Sequence, residues 1–163
     1  MIRPIIIWPN PFLKTKSVAV DFDLDLYSDV ANDMIDTMLH EGGVGLAAVQ
    51  IGVGLRIITL NAGHGPEVWI NPKIIRRSPE KERMPEGCLS LPGITEDGAR
   101  NVWVDVVGYY VSGHLKGTHA VGLRAQVFAH EIEHLDGRMY VDKMEVGFKD
   151  RLRKRLKKGR GGF

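Results

Sequence analysis

The chain has 163 residues, of which 44% are hydrophobic and 26% are charged, and its formal net charge is +2. This composition indicates one soluble globular domain over residues 1–163 with its own core. The single cysteine, Cys88, excludes an intrachain disulfide, and the longest early apolar run, residues 5–8, is too short for a signal peptide or membrane span. We expect a cytoplasmic protein, or one from the reducing interior of an organelle.

The first predicted elements are an arm and a helix. Pro9 and Pro11 favour an extended arm at the start of the chain. After residue 25, apolar side chains recur every four residues, at Leu26, Val30, Met34 and Met38. Gly42 and Gly43 follow, so the pattern predicts an amphipathic helix that ends at a glycine stop.

The middle of the chain is rich in β-branched and aromatic residues that predict strands. The predicted strands are residues 55–60, 67–70, 73–78 and 101–111. A second helix is predicted over about residues 123–135, before Gly137, and it is apolar on nearly every side. The order helix, strands, helix indicates an α+β fold, with antiparallel or mixed sheets packed around this central second helix.

The second helix carries the pattern HEIEH, in which two histidines lie four residues apart. On a helix this spacing places His130 and His134 on one face, where both can bind one ion, with Glu131 beside it. A chance occurrence of the pattern is expected only roughly 0.01 times in a shuffled chain of this composition. The pattern therefore predicts a metal site, which still needs a third protein ligand.

The third ligand is not found at the usual downstream position of zinc proteases. The extended pattern HExxHxxGxxH fails because its last position is Tyr140. Glu145 is the only later glutamate and lies beyond the helix stop. The better candidate is Cys88 upstream, because a thiolate is a strong ligand for zinc and ferrous iron and a Cys-His-His site leaves one position open.

Three segments together resemble the peptide deformylase family. They are GVGLAAVQ at residues 43–50, EGCLS at residues 86–90 and HEIEH at residues 130–134. Their order, type and spacing match the three motifs of that family, and the flanking elements extend the resemblance over almost the whole chain. The resemblance implies removal of the formyl group from formylmethionyl nascent peptides, with release of formate.

The resemblance also implies how the metal is bound and used. Cys88, His130 and His134 would be the ligands, and Glu131 would take a proton from water and return it to the leaving amine. Ferrous iron is the expected physiological ion, whereas a purified sample could carry Zn²⁺ or Ni²⁺, because affinities rise along the late first row.

Further residues of the motifs are expected to contact the substrate. The side-chain amide of Gln50 and the backbone N–H of Leu89 would form an oxyanion hole. Main-chain groups of the first motif would pair with the peptide as an added strand, and one side chain of the metal helix would wall the methionine pocket. The expected substrate-binding residues are Val44, Gly45, Gly87 and Val127.

Two residues of the third motif depart from the family pattern. The family usually has Gln before the first histidine and Asp before the second, whereas this chain has Ala129 and Glu133. Neither is an expected ligand or base, so activity is not in question. We expect an altered contact around the ligands.

The C-terminal tail, residues 149–163, is strongly basic. A run that begins at Lys149 and ends at Arg160 holds eight Lys or Arg residues and one Asp. It is either a solvated helix end with Leu152 and Leu156 on its inner side or a contact to a polyanion such as RNA. The resemblance implies a ribosome contact at this place, and nothing predicts a membrane or DNA partner.

Two other classes of function compete with a deformylase. A zinc endopeptidase is disfavoured because Tyr140 occupies the expected ligand position. A catalytically silent, ribosome-associated binding protein with a structural metal is disfavoured because such a site would close all four coordination positions.

Overall fold

A computed structural model describes residues 1–21 and 24–159. Its helices are α1 (Leu24–His40), α2 (Leu123–Leu135) and α3 (Val146–Gly159). Its strands are β1 (Gly45–Ala47), β2 (Ile57–Leu60), β3 (Glu67–Arg77), β4 (Lys81–Cys88), β5 (Leu91–Asn101), β6 (Trp103–Tyr109) and β7 (Leu115–Val121). Residues 160–163 of the predicted tail and the side chain of Leu26 lie outside this description. None of the helices described is long and apolar enough to cross a membrane.

The strands form two antiparallel sheets. The larger sheet has five strands in the order β1-β2-β3-β6-β7, and β4 and β5 form a separate two-stranded ribbon. The helix α2 contacts both sheets and lies between them. On its core side Phe128 is fully buried, and its ring packs edge-on against Trp69 of β3 at a centroid distance of 5.0 Å. The prediction of an α+β fold around a central helix is confirmed.

The helix α1 ends at His40, just before the two glycines that predicted its end. Met34 and Met38 are fully buried against the five-stranded sheet, as the four-residue spacing required. Gly42 has a φ of +67°, a left-handed conformation that glycine adopts without a steric penalty. The chain then turns directly into β1, so the first motif is held between a helix end and a sheet edge.

The arm and the strand prediction need correction. The arm is not wholly extended, because residues Pro11–Lys14 form a 3₁₀ turn that buries Leu13. The two segments predicted at 67–70 and 73–78 belong to one strand, β3, which is interrupted by a bulge. At this bulge Asn71 has a φ of 48°, and its side chain hydrogen-bonds the backbone of Val20 through both amide atoms.

The tail is a helix with one packed side. Leu152 of α3 is buried, and Leu156 is partly buried against the cluster that contains Trp8 and Leu91. The basic side chains at positions 154, 157 and 158 are exposed. The tail is therefore a helix end with an apolar inner side and a solvated basic outer side, and its contact to a polyanion stays a prediction.

Candidate active site

Three predicted metal ligands meet between the end of β4 and the helix α2. Cys88 ends β4, and both histidines project from one face of α2. The Cys88 Sγ atom lies 3.2 Å from His134 Nε2, which lies 3.1 Å from His130 Nε2. All three atoms lie within 4.8 Å of one another, so they can bind a single ion. A thiolate and two imidazoles are a suitable donor set for zinc or ferrous iron.

A buried ionic network fixes one of these rings. Glu86 Oε1 accepts a hydrogen bond from His130 Nδ1 at 2.7 Å, which leaves Nε2 directed toward the other ligands. Arg100 donates to both carboxylate oxygens of Glu86. Burial opposes ionisation of Glu86, but hydrogen bonds with His130 and Arg100 outweigh it and lower its pKa to about 2. Glu86 therefore stays charged and holds the ring in one orientation.

Glu131 is buried next to the ligand cluster, and one of its carboxylate oxygens forms no hydrogen bond to the described part of the protein. Its side chain is 4% exposed, and its Oε2 atom has no hydrogen-bond partner among the described residues. Burial raises the pKa of this carboxyl to about 7. A Cβ atom on Gly45 would lie 2.4 Å from Glu131 Oε1 and 2.7 Å from Val127 Cγ1. Only glycine at position 45 therefore lets the edge strand approach the carboxylate this closely.

The amide of Gln50 is held in one orientation. Its Oε1 atom accepts from the backbone N–H of Ala47 at 2.8 Å, so the NH₂ group must face the other way. That group donates to Ser90 Oγ at 3.1 Å and lies 3.5 Å from Cys88 Sγ. The side chain is 1% exposed. Gln50 therefore presents amide N–H groups beside the metal ligands.

An open cavity of about 480 Å³ leads to these residues. It runs between the end of α1, the β4–β5 ribbon and α2. The predicted residues that line it are Val44, Gly45, Gly87, Cys88, Leu89, Val127, His130 and Glu131. The structure thus brings all the sequence-predicted site residues together, with Gln50 and His134 behind the wall of the cavity.

The polypeptide deformylase family model matches residues 2–148 of this chain. The chain belongs to the polypeptide deformylase family. It is 38% identical over 146 residues to the peptide deformylase of Desulforudis audaxviator, covering 89% of this chain and 95% of that protein. Its identity to the peptide deformylase of Dictyoglomus thermophilum is 42% over 143 residues, covering 88% and 93%.

Solved deformylase structures share the whole architecture. The crystal structure of the peptide deformylase from Ehrlichia chaffeensis superposes with a TM-score of 0.93 and 31% identity, covering 98% of this chain and 97% of that one. The chain is accordingly a metal-dependent enzyme that removes N-formyl groups from nascent peptides.

The two departures from the deformylase pattern lie on the side of α2 away from the open cavity. Glu133 accepts from Arg100 Nη1 at 2.8 Å, so the longer carboxylate reaches the same arginine that holds Glu86. Ala129 lies on the wall of a second cavity, which none of the three metal ligands lines. Glu133 thus forms an ion pair with Arg100, and a contact altered relative to the family stays a prediction.

Sequence reasoning missed the residues that support the ligands. Glu86 stands inside the second motif, two residues before the cysteine, and this nearness was an available signal. Arg100 lies at the far end of the ribbon, and no neighbouring residue in the sequence indicates that it binds Glu86. It reaches Glu86 only because the β4–β5 register pairs Arg100 with Glu82.

Proposed function

We propose that this deformylase acts on formylmethionyl peptides with one divalent ion held by Cys88, His130 and His134. The convergence of these three side chains beside the buried carboxylate of Glu131 carries the proposal. The bound ion supplies Lewis-acid chemistry, which lowers the pKa of water toward neutrality. Fe²⁺ is proposed as the physiological ion, and Zn²⁺ or Ni²⁺ as ions that purified protein can carry.

The protein groups move the proton and stabilise the developing charge. Glu131 takes the proton of the attacking water at its unpartnered oxygen and delivers it to the leaving amine. The amide of Gln50, held by Ala47, and the backbone N–H of Leu89 donate to the formyl oxygen as it becomes negative. Loss of one such donor typically lowers kcat by a factor on the order of 10²–10³.

The peptide is proposed to add to the sheet at β1. This strand is at the edge of the five-stranded sheet, so one side of it is open to a further strand. Val44 and Gly45 lie on the cavity at this edge, and Gly87 lies on the opposite wall. The main-chain groups of Val44 and Gly45 would align the peptide, with its formyl end toward the metal ligands.

Tryptophan at position 127 should obstruct the methionine pocket. Val127 is one turn before His130 and lines the cavity, so a larger side chain would fill the space beside the metal ligands. We expect the Val127→Trp enzyme to show an increase in KM for formyl-Met-Ala-Ser of on the order of 10-fold or more. Steady-state formate release checks this, with formylnorleucine and formylalanine peptides for comparison. Unchanged KM and unchanged methionine preference would show that Val127 is not the pocket wall.

The direct test of the function is formate release by anaerobically prepared, Fe²⁺-loaded protein. Turnover of formyl-Met-Ala-Ser, with no cleavage of internal peptide bonds in an acetylated peptide, is expected. Against the endopeptidase alternative, Tyr140 is not part of the ligand cluster among the described residues, and its hydroxyl donates to Ile94 O at 3.4 Å. A folded, metal-loaded protein that releases no formate would contradict the proposal.

The exposed side of α3 is proposed to contact the ribosome. Lys154, Lys157 and Lys158 are exposed, while Leu152 anchors the helix to the body. This arrangement leaves the positive charges available to ribosomal RNA, close to the source of nascent peptides in the cytoplasm or in an organelle.

Replacing these three lysines by glutamine should weaken ribosome binding without unfolding the protein. We expect a loss of at least about 10-fold at low salt, because each lost phosphate contact reduces the release of counterions. Cosedimentation with ribosomes measures the loss, and formate release from a free tripeptide should be unchanged. Ribosome binding equal to that of the wild type would contradict this contact.

A further inference from the structure

A second cavity of about 1000 Å³ lies behind the metal helix. It is bordered by the N-terminal segment, β3, the start of β4 and the face of α2 that carries Ala129 and Glu133. None of the three metal ligands lines it, and its residues are not those of the substrate cavity. We call it the basic groove, because eight Lys or Arg residues line it against two acidic residues.

Half of these cations already have acidic partners within the groove. The pairs are Arg56 with Asp136, Arg138 with Asp136, Arg100 with Glu133 and Lys143 with Glu133. The other four basic residues have no ion-pair partner in the part of the chain that the structure describes. They are the exposed residues Lys16, Lys73, Arg77 and Lys81. The groove therefore carries positive charge that no ion pair among the described residues balances.

The groove also contains a buried hydroxyl without a partner. Ser17 lines the groove and is 4% exposed, and its Oγ atom has no hydrogen-bond partner among the described residues. Buried polar atoms are nearly always hydrogen-bonded in folded proteins. The unused Ser17 hydroxyl, next to Lys16, is available to donate to a ligand oxygen at this wall of the groove. This observation is independent of the charge.

The placement of the four unpaired cations favours an extended anion. They come from three separate segments of the chain, and Lys73 and Arg77 are four residues apart on β3, or about 13 Å of strand. One phosphate group is much smaller than this spacing, whereas a nucleic-acid backbone offers a phosphate repeatedly along its length. Tyr109, which is partly buried, adds an aromatic side chain to the same wall.

We propose that the basic groove binds single-stranded RNA, with Lys16, Lys73, Arg77 and Lys81 on its phosphates. This proposal does not depend on the chemistry of the metal site, which lies on the other side of α2. It is also separate from the contact of α3, since no residue of that helix lines the groove. RNA bound in the groove would keep the enzyme attached to that RNA and would leave the separate substrate cavity open to a peptide.

The test compares two variants with the same loss of charge. In the groove variant, Lys16, Lys73, Arg77 and Lys81 are all replaced by glutamine. In the tail variant, the four exposed residues Arg151, Lys154, Lys157 and Lys158 are replaced in the same way. Fluorescence anisotropy with a labelled 12-nucleotide RNA measures Kd for the metal-loaded proteins between 50 and 200 mM salt. Formate release is measured for each protein.

The groove variant should bind on the order of 10²–10³-fold more weakly than the wild type at 50 mM salt. The slope of log K against log salt, where K is the association constant, should become less steep by about 3, since each single-strand phosphate contact contributes roughly 0.7 to its magnitude. The tail variant should lose less affinity, and both should release formate at the wild-type rate. Formate release by both variants would show that they fold, whatever the RNA result.

Three results would overturn the proposal. The first is a groove variant that binds RNA within about 3-fold of the wild type. The second is an equal or larger loss in the tail variant, which would assign binding to net charge or to α3. The third is an equal affinity of the groove for inorganic polyphosphate of the same phosphate number, which would exclude any part for the bases.

Discussion

Glutamine at position 131 is expected to reduce kcat for formate release by about 10²–10⁴-fold, the usual contribution of a general acid–base group. The amide has the shape of the carboxylate but cannot accept the proton of water at neutral pH. Glu131 is buried beside the ligands, and its Oε2 atom has no protein partner in the described chain, so this oxygen is available to accept the proton. Glu131 is not one of the clustered ligand residues, so the metal content should stay at one ion per chain.

Glu145→Gln is the matched control for this variant, because it makes the same chemical change at an exposed glutamate beyond α2. Kinetics of formyl-Met-Ala-Ser hydrolysis and elemental analysis of both proteins give the comparison. A Glu131→Gln enzyme that keeps more than about a tenth of the wild-type rate would place the base elsewhere. Loss of the metal from this variant would instead show that Glu131 acts as a ligand.

Alanine at position 88 should remove the metal and, with it, the activity. Cys88 is the only cysteine of the chain, so no other thiolate can replace the lost ligand. We expect metal affinity to fall by more than about 10²-fold, because even residues that only support a ligand contribute 10–100-fold. Turnover should fall in proportion to the metal content at limiting Fe²⁺.

Cys88→Ser separates loss of the ligand from damage to the fold. Serine keeps nearly the same volume at this half-buried end of β4, so the thermal unfolding of the apo protein should be close to that of the wild type. Titration with Fe²⁺ or Zn²⁺ measures affinity for all three proteins. Wild-type affinity in the alanine variant would contradict the assignment of Cys88 as a ligand, whatever happens to the rate.

Local patterns predicted α1 and α2 well because their signals are contained in neighbouring residues, whereas the helical form of the tail, α3, was left open. The spacing of Met34 and Met38 and the glycine at position 42 define α1 within one segment of chain. The same is true of α2, for which the predicted and observed bounds agree. A helix satisfies its backbone hydrogen bonds locally, so its pattern does not depend on a partner.

The β4–β5 ribbon escaped prediction for the opposite reason. Both strands contain proline, at Pro85 and Pro92, and few apolar residues, so their sequences lack the apolar–polar alternation that marks a half-buried strand. The ribbon is stable because each strand pairs with the other and because Leu91 and Ile94 are buried in a core cluster. The strand β7 was missed for a similar reason, since only Ala120 is buried in it.

The sequence by itself determined the proposed ligand set, because the spacing of His130 and His134 is a property of one helix and the chain has a single cysteine to complete it. Only the tertiary structure decided what surrounds those ligands. The Glu86–His130 hydrogen bond joins residues 44 apart, and the basic groove gathers cations from segments that are separate in the chain. Such contacts depend on strand register and on how α2 packs between two sheets, and no local periodicity encodes them.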